Sequence, residues 1–291
     1  MDWDDVVRRA RDVQYEGSGI GLRIPGAGIG GLRIPLDLHD GPVRILGGSV
    51  DAFVDLPPGM RGVNMSRSVR AVLDSMDGAR SLADFASAIV SRLLELHEYS
   101  MSARAVVRAS AFIEEEAPVT GLRSPHHFSA IADFVYRRDG DASAWLGASV
   151  PGVTACPCGS ELMRSASGGC GGFPCPTHMQ RARVLVAARP AGSTNLVSLR
   201  SSAVGGLSAS VYPLLRRSDE ASVIHDALSN PRFAEDVFRR VALSFVEGNP
   251  SFPPDGELRV RVRSRESIHG HDVVVEGVLR GDELLSLRRS S

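Results

Sequence analysis

The sequence predicts an α+β protein built from two similar halves that follow each other along the chain. Strand-like runs flank a pair of helical stretches, and the same order of strands, helices and strands then occurs a second time. Antiparallel strands that alternate with helix pairs place the helices on one face of a sheet. We therefore expect two halves, residues 1–139 and 140–291, which join near Gly140.

The composition is that of a globular protein with its own core. The 291 residues include 43% hydrophobic and 23% charged side chains, and a chain of this size buries about 75% of its unfolded surface without needing disulfides or a metal. The 33 basic residues, all arginine, nearly balance the 34 acidic ones, which excludes a strong overall field for nucleic acid or anionic lipid. The acidic N-terminus and the lack of a long apolar run predict a cytoplasmic protein without a membrane span.

The first half begins with a glycine-rich segment, Gly17–Gly31, in which Gly26, Gly28 and Gly31 spell G-x-G-x-x-G. A dinucleotide site needs a helix directly after this fingerprint, and Pro35 prevents one. We therefore expect a flexible or strand-linking segment.

Periodicity predicts the rest of the first half. Residues 43–54 favour a strand with a glycine bulge, and residues 66–97 favour two helices that break near Asp77. Strand-like runs follow at residues 103–113 and 128–137.

The second half repeats this order of elements. Asn230 is expected to cap a helix there, because Pro231 suits the first helical position. The predicted elements are strands at 144–153 and 180–188, helices at about 195–203 and 231–245, a helical turn at 220–228, and strands at 257–263 and 272–279.

The four cysteines all lie within residues 156–175, which indicates metal or thiol chemistry instead of a dispersed disulfide framework. Possible ligands converge on Cys156-Pro-Cys158, on His178 and on residues 266–271. A mixed set of thiolate, imidazole and carboxylate binds Zn²⁺ or Fe²⁺ and can leave one position open for water. A closed zinc knuckle is the alternative, and spacing alone leaves both open; its ligands would be Cys156, Cys158, Cys170, Cys175 and His178.

Two other segments carry signals with more than one explanation. Asn64 or Ser66 can cap a helix whose N-terminus, with Arg67 nearby, would suit a phosphate, although an ordinary capped helix start explains the same residues. The carboxylate of Glu235 could accept two hydrogen bonds from the edge of a guanine, and a solvated glutamate is the simpler explanation.

Six motifs in a fixed order give the chain a family resemblance. They are VDLPPGMRGVNMSR (54–67), TACPC (154–158), THMQRA (177–182), YPLLRRSDE (212–220), NPRFAED (230–236) and ESIHGHD (266–272). LLELHEYS at residues 93–100 agrees with them. The chain resembles the metal-dependent GTP cyclohydrolases of type IB and their archaeal MptA relatives.

This resemblance implies a tunnelling fold and a homo-oligomer, a dimer or tetramer, with active sites near subunit interfaces. It also implies one divalent metal per site, with Fe²⁺ preferred and Mn²⁺ or Zn²⁺ as alternatives. The implied metal ligands are Cys156, His178, Glu220 and His269. Glu235 would anchor the purine, and the implied ribose or phosphate contacts are Asn64, Ser66, Arg67, Gln180 and Arg181.

The implied reaction is hydrolysis of the guanine ring of GTP at C8. A divalent metal lowers the pKa of bound water so that hydroxide is available near neutral pH. Ring opening and a second hydrolysis would release formate and give a 7,8-dihydroneopterin derivative, as the triphosphate or the 2′,3′-cyclic phosphate, for folate or methanopterin biosynthesis. His271, ahead of Cys158, would transfer protons.

Two departures from the family pattern keep other functions open. The segment between Cys158 and His178 is longer than in the bacterial enzymes, and Arg216-Arg217-Ser218 stands where the family has Lys-Arg-Pro. A paralogue could act on another purine nucleotide or stop at a different product. A non-catalytic, metal-stabilised binding module is the alternative from a different class.

Overall fold

The computed structural model describes residues 1–14 and 16–290. Its elements in chain order are α1 (Trp3–Arg9), β1 (Ile24–Asp40), β2 (Val43–Leu56), α2 (Met65–Asp74), α3 (Leu82–Leu96), β3 (Ser102–Glu116), β4 (Arg123–Arg137), β5 (Ala142–Ala155), α4 (Pro157–Ser167), β6 (Met179–Arg189), α5 (Leu196–Gly206), α6 (Arg217–Ser229), α7 (Ala234–Gly248), β7 (Glu257–Ser264), β8 (Val273–Arg280) and α8 (Gly281–Ser290), with a short 3-10 turn at Ala191–Ser193.

The eight described strands form one antiparallel sheet, in which their order is also their order along the chain. Helices α2 and α3 follow the first two strands, and α5 to α7 lie between β6 and β7 in the chain. The order of strands, helices and strands therefore occurs twice. This confirms the predicted α+β class with two tandem groups, the arrangement expected of a tunnelling fold.

The chain also divides into two compact units. The first consists of Met1–Ile34, Ser49–Val107 and Asp133–Ser143, and the second of Pro35–Gly48, Arg108–Ala132 and Ala144–Ser291. The halves predicted at residues 1–139 and 140–291 refer to the order of elements in the sequence, and they stay a prediction.

In the first unit, helices α2 and α3 pack against each other. Phe85, Ile89 and Leu93 recur every four residues on α3 and are fully buried, as one apolar stripe of a helix requires. Asn64 begins α2, because its side chain accepts a hydrogen bond from the backbone N–H of Arg67 at 3.2 Å. The predicted helix pair is thus present. The break between Asp74 and Leu82 includes Asp77, where it was expected.

The second unit packs α5 and α7 against each other and against strands β6 to β8. Val184 and Val186 on β6 and Val260 on β7 are fully buried beneath these helices. The two helices approach closely at Gly206, where a Cβ would collide with a methyl group of Val241. This unit contains the predicted cysteine and histidine residues.

The structure corrects the expectation for the glycine-rich segment. Strand β1 already begins at Ile24 and runs through the second half of that segment to Asp40. Gly28 lies so close to β2 that a Cβ there would collide with the carbonyl oxygen of Ala52. These glycines allow two strands to approach, and they do not form a flexible linker.

Several helix boundaries also differ from the expectation. Asn230 ends α6, because its backbone N–H donates to the carbonyl of Asp226 at 3.0 Å, and α7 begins only at Ala234. The side chain of Asp236 accepts from the N–H of Phe233 at 3.2 Å and caps that helix instead. Helices α1, α4 and α8 were not predicted. Among the described helices, none is both long and apolar enough to cross a membrane.

Candidate active site

The hairpin of strands β5 and β6 brings Cys156 and His178 together. Ala155 pairs with Met179 at the open end of this ladder, and the backbone N–H of Cys156 donates to the carbonyl of His178 at 3.1 Å. The hydroxyl of Thr177 also donates to the carbonyl of Cys156 at 2.8 Å. The long segment between these two residues therefore loops out without separating them.

The thiol of Cys156 lies at the N-terminus of α4. Its Sγ accepts a hydrogen bond from the backbone N–H of Gly159 at 3.4 Å, and Pro157 occupies the first turn of the helix. The positive end of the helix dipole therefore lies beside this sulfur. Pro157 after a residue that can cap was the signal that could have predicted α4.

The ring of His178 is held by Gln180. The side-chain oxygen of Gln180 lies 2.9 Å from Nδ1 of His178, and its amide nitrogen donates to the hydroxyl of Thr154 at 3.1 Å and to Glu266 at 3.4 Å. These partners assign the amide orientation, so Nδ1 of His178 carries the proton. The lone pair of Nε2 is then available to a metal, as in histidine ligands whose other nitrogen is hydrogen-bonded.

The loop between β7 and β8 contributes two more histidines and a carboxylate. The ring centroids of His178 and His269 are 6.3 Å apart, and His271 stacks on His269 at 5.6 Å. Glu266 lies 3.9 Å from Nδ1 of His178 and accepts a hydrogen bond from Ser264 at 2.8 Å. His178 is largely buried, whereas His269 and His271 are exposed.

Glu220 lies in the first turn of α6, beside a buried anchor. The carboxylate of Asp219 accepts hydrogen bonds from the backbone N–H groups of Val119 and Thr120 at 3.0 and 2.8 Å, and from that of Arg216. Burial by itself would raise the pKa of Asp219, but these hydrogen bonds lower it to about 2. Asp219 thereby fixes the start of α6 against the β3–β4 turn, and Glu220 extends from it into solvent.

Glu235 lies in the first turn of α7 and is exposed. The segment before this helix is fastened to the end of β5, because the backbone N–H of Arg232 donates to the carbonyl of Ala155 at 2.9 Å. Ala155 directly precedes Cys156. The fold therefore attaches the start of α7 next to the residue that begins the cysteine motif.

In the described part of the chain, no three histidine, cysteine, aspartate or glutamate side chains are already close enough to hold a metal. The structure brings Cys156, His178 and His269 into one neighbourhood. Glu220 makes no recorded hydrogen bond with any of the three. The four-residue ligand set stays a prediction.

The other predicted contacts have partners of their own. In the first unit, the hydroxyl of Ser66 donates to the side chain of Asn64 at 2.7 Å, and Arg67 donates to the carbonyl of Leu96 at 3.1 Å. In the second unit, Gln180 is buried and Arg181 is exposed. The contacts of Gln180 support a role in holding His178, which the sequence analysis missed.

Two of the cysteines pair with each other. Cys170 and Cys175 form a disulfide in the loop between α4 and β6, while Cys158 is exposed. A disulfide has no thiolate to offer a metal, so in this state the two cysteines could not complete a zinc knuckle.

Comparison with known proteins identifies the family. The model of the type I GTP cyclohydrolase folE2 family matches residues 10–275. The chain belongs to this family. Similar curated proteins include GTP cyclohydrolase MptA 1 of Methanocella arvoryzae, 31% identical over 80% of this chain and 81% of that protein. MptA of Methanosarcina mazei is 29% identical over 94% of this chain and 95% of that protein.

Among solved structures, the uricase of Arthrobacter globiformis has a TM-score of 0.48 and 9% identity, covering 88% of this chain and 93% of that chain. The family is metal-dependent, and the donors of the candidate site fit a divalent ion: a cysteine sulfur at a helix N-terminus, a histidine with its Nε2 free, and a second histidine beside it.

Proposed function

We propose that the chain is a GTP cyclohydrolase that hydrolyses the guanine ring of GTP at C8, releases formate and gives a 7,8-dihydroneopterin derivative, as the triphosphate or the 2′,3′-cyclic phosphate. Membership of the folE2 family and the MptA relatives support this function. The structural observation that carries it is the His178 ring, which Gln180 holds with Nε2 free beside Cys156 and His269.

Cys156, His178, Glu220 and His269 would hold the metal, with Fe²⁺ preferred and Mn²⁺ or Zn²⁺ as alternatives. A bound divalent ion would supply Lewis acidity and lower the pKa of water towards neutrality. The chain itself supplies orientation. Gln180 fixes the ring of His178, and the N-terminus of α4 holds the Cys156 sulfur through the N–H of Gly159.

Glu235 would bind the purine. A glutamate carboxylate has two acceptor oxygens, which match the ring N–H and the amino group on one edge of guanine. Holding that edge would orient C8 and replace a collision by an oriented attack. Asn64, Ser66, Arg67 and Arg181 would contact the ribose or phosphates.

His271 would move protons during ring opening. Its ring stacks on His269 at 5.6 Å and is exposed, so it lies beside a candidate ligand and exchanges protons with water. An imidazole has one nitrogen that can donate a proton and one that can accept it, so the side chain suits transfer in both directions.

The active form would be a homo-oligomer with sites near subunit interfaces. The exposure of Glu220, Glu235 and His269 in the single chain supports this arrangement, because a partner surface could cover them.

The test is turnover by metal-loaded protein. The apo-protein is incubated anaerobically with GTP and Fe²⁺ or Mn²⁺, and formate and, after oxidation, pterin fluorescence are measured. Both products are expected. If neither product forms with either metal although GTP binds, the proposal fails and the binding-module alternative is favoured. Formate without a pterin would point to a paralogue that stops earlier.

A further inference from the structure

A cavity in the second compact unit is lined by residues that, apart from Arg181, have no role in the proposed reaction. It has a volume of about 240 Å³ and is lined by residues of β4, β5, α5 and the segment before α6, among them His126, His127, Arg181, Arg200 and Tyr212. A buried water occupies roughly 30 Å³, so this space exceeds a single bridging water several-fold.

His126 has one nitrogen without a partner in this wall. The side chain is only 4% exposed, and Nδ1 lies 2.9 Å from the carboxylate of Glu115. Nε2 is buried and has no hydrogen-bond partner among the described residues. Burial lowers the pKa of His126 although Glu115 opposes this. The neutral ring then donates from Nδ1 to Glu115 and keeps an unused acceptor at Nε2.

Arg200 has a matching unused donor. It is 6% exposed, and both terminal nitrogens bind Glu115 at 2.5 Å. Its Nε–H is buried without a partner in the described chain, and so is the hydroxyl of Ser124. A buried polar group without a hydrogen-bond partner destabilises the folded chain. Two of these groups, Nε2 of His126 and Nε–H of Arg200, belong to residues that line this cavity, and they therefore indicate a missing partner.

The charges of the wall favour an anion. Arg181 and Arg200 line the cavity, and no carboxylate lines it. Glu115 is paired with Arg200. It lines a neighbouring cavity together with Glu114 and Glu116, and there Glu116 is paired with Arg123 at 3.0 Å.

We propose that this cavity binds a phosphate oxyanion. Its oxygens would accept from the Nε–H of Arg200 and from Arg181, and a protonated oxygen would donate to Nε2 of His126. Arginine pairs readily with phosphate through planar, charge-assisted hydrogen bonds. The hydroxyl of Tyr212, whose ring edge meets His126 at 5.0 Å between centroids, borders the same space.

Titration calorimetry with inorganic pyrophosphate tests the site directly. The variant is His126→Asn, because the asparagine amide can replace Nδ1–H towards Glu115 while nothing replaces Nε2. His225→Asn makes the same change on the exposed surface of α6. The wild type and His225→Asn should bind pyrophosphate, and His126→Asn at least tenfold more weakly. Tyr212→Phe, which leaves the Glu115 cluster intact, should also weaken binding and serves if His126→Asn does not fold.

Kinetics then identify the source of the phosphate. If the site binds the triphosphate of GTP, pyrophosphate competes with GTP. His126→Asn then raises the KM for GTP and leaves the affinity for guanosine unchanged. If it takes a separate ligand, pyrophosphate does not compete with GTP. Either result supports an oxyanion site. No pyrophosphate binding by the wild type, or equal binding by folded His126→Asn and His225→Asn, would overturn it. Because binding is measured without turnover, failure of the cyclohydrolase assignment would leave this result unaffected.

Discussion

The side-chain oxygen of Gln180, at the start of β6, lies 2.9 Å from Nδ1 of His178, the residue just before that strand. The amide nitrogen of Gln180 is occupied by Thr154 and Glu266. The carboxamide thus has one orientation, and that orientation decides which nitrogen of His178 keeps a free lone pair.

Replacing Gln180 tests this relationship. Gln180→Leu should reduce metal affinity and turnover by about 10–100-fold, the usual effect of removing the partner of a ligating histidine. Metal titration and the nitrogen chemical shifts of His178 measure affinity and tautomer separately. Gln14→Leu makes the same change at the other glutamine of the chain. It should alter neither the metal affinity nor the tautomer of His178. Unchanged metal affinity and an unchanged tautomer in Gln180→Leu would contradict the assigned role.

The cysteines should separate into one ligand and three that are not. Cys156→Ser keeps an oxygen that can cap α4 but removes the thiolate, so the protein should stay folded with at least about tenfold less bound metal. Cys158→Ser and Cys170→Ser should retain the metal. Elemental analysis and circular dichroism provide the measurements. Equal metal loss in all three variants would favour the zinc knuckle.

Glu235→Gln should weaken binding of guanine nucleotides by about 10–100-fold, because hydrogen bonds to a charged acceptor are worth about 1.5–3 kcal/mol. A fluorescent guanine nucleotide titrated into the metal-free protein measures this without turnover. Glu247→Gln, an exposed position near the other end of α7, is the matched control. The purine-anchor role would be refuted by equal affinities of the two variants.

Asp219 should make folding depend on pH at the acid end. Its pKa is lowered from 3.8 to about 2 in the folded protein, so its contribution to stability is complete above pH 3.8 and is lost as the pH falls through about 2. The difference in Tm between the wild type and Asp219→Asn should therefore shrink over this range. Asp226→Asn, an exposed aspartate of the same helix, should show no such trend. A constant difference would argue against the hydrogen-bonded carboxylate.

His97 should give a second pH dependence at a higher range. It is fully buried between the hydroxyls of Ser68 and Tyr99, at 3.2 and 2.8 Å, and burial together with Arg67 lowers its pKa from 6.5 to about 4. A lowered pKa means that the unfolded chain takes up the proton first, so stability decreases as the pH falls from 6.5 towards 4. Urea unfolding measures this decrease, which should be smaller in His97→Gln and unchanged in His39→Gln.

A local sequence pattern was sufficient to predict an element where apolar residues recur at a single period. The stripe of Phe85, Ile89 and Leu93 predicts α3 because a helix must bury one face. Strand β1 was missed because glycines carry no side chain that could alternate between apolar and polar. Gly28 is required by its close contact with Ala52, which lies on another strand. Helix α4 was missed because its few apolar residues face solvent.

The candidate site was predictable only in part for a related reason. Cys156, His178 and His269 are residue types that bind metals, and their motifs identify them. That Cys156 and His178 are adjacent follows from the β5–β6 register, which no local pattern reveals. The role of Gln180 depends on Thr154 and Glu266, which are distant in sequence.

The sheet also has a consequence for synthesis of the chain. Each strand pairs with the strand that precedes it in the sequence, so no later segment has to insert between two strands that have already formed. Pairing can therefore extend from the N-terminus as the polypeptide leaves the ribosome, with each new hairpin added to an existing edge. The last edge to be completed is β8, and the loop that carries His269 and His271 is ordered only when the final strands arrive.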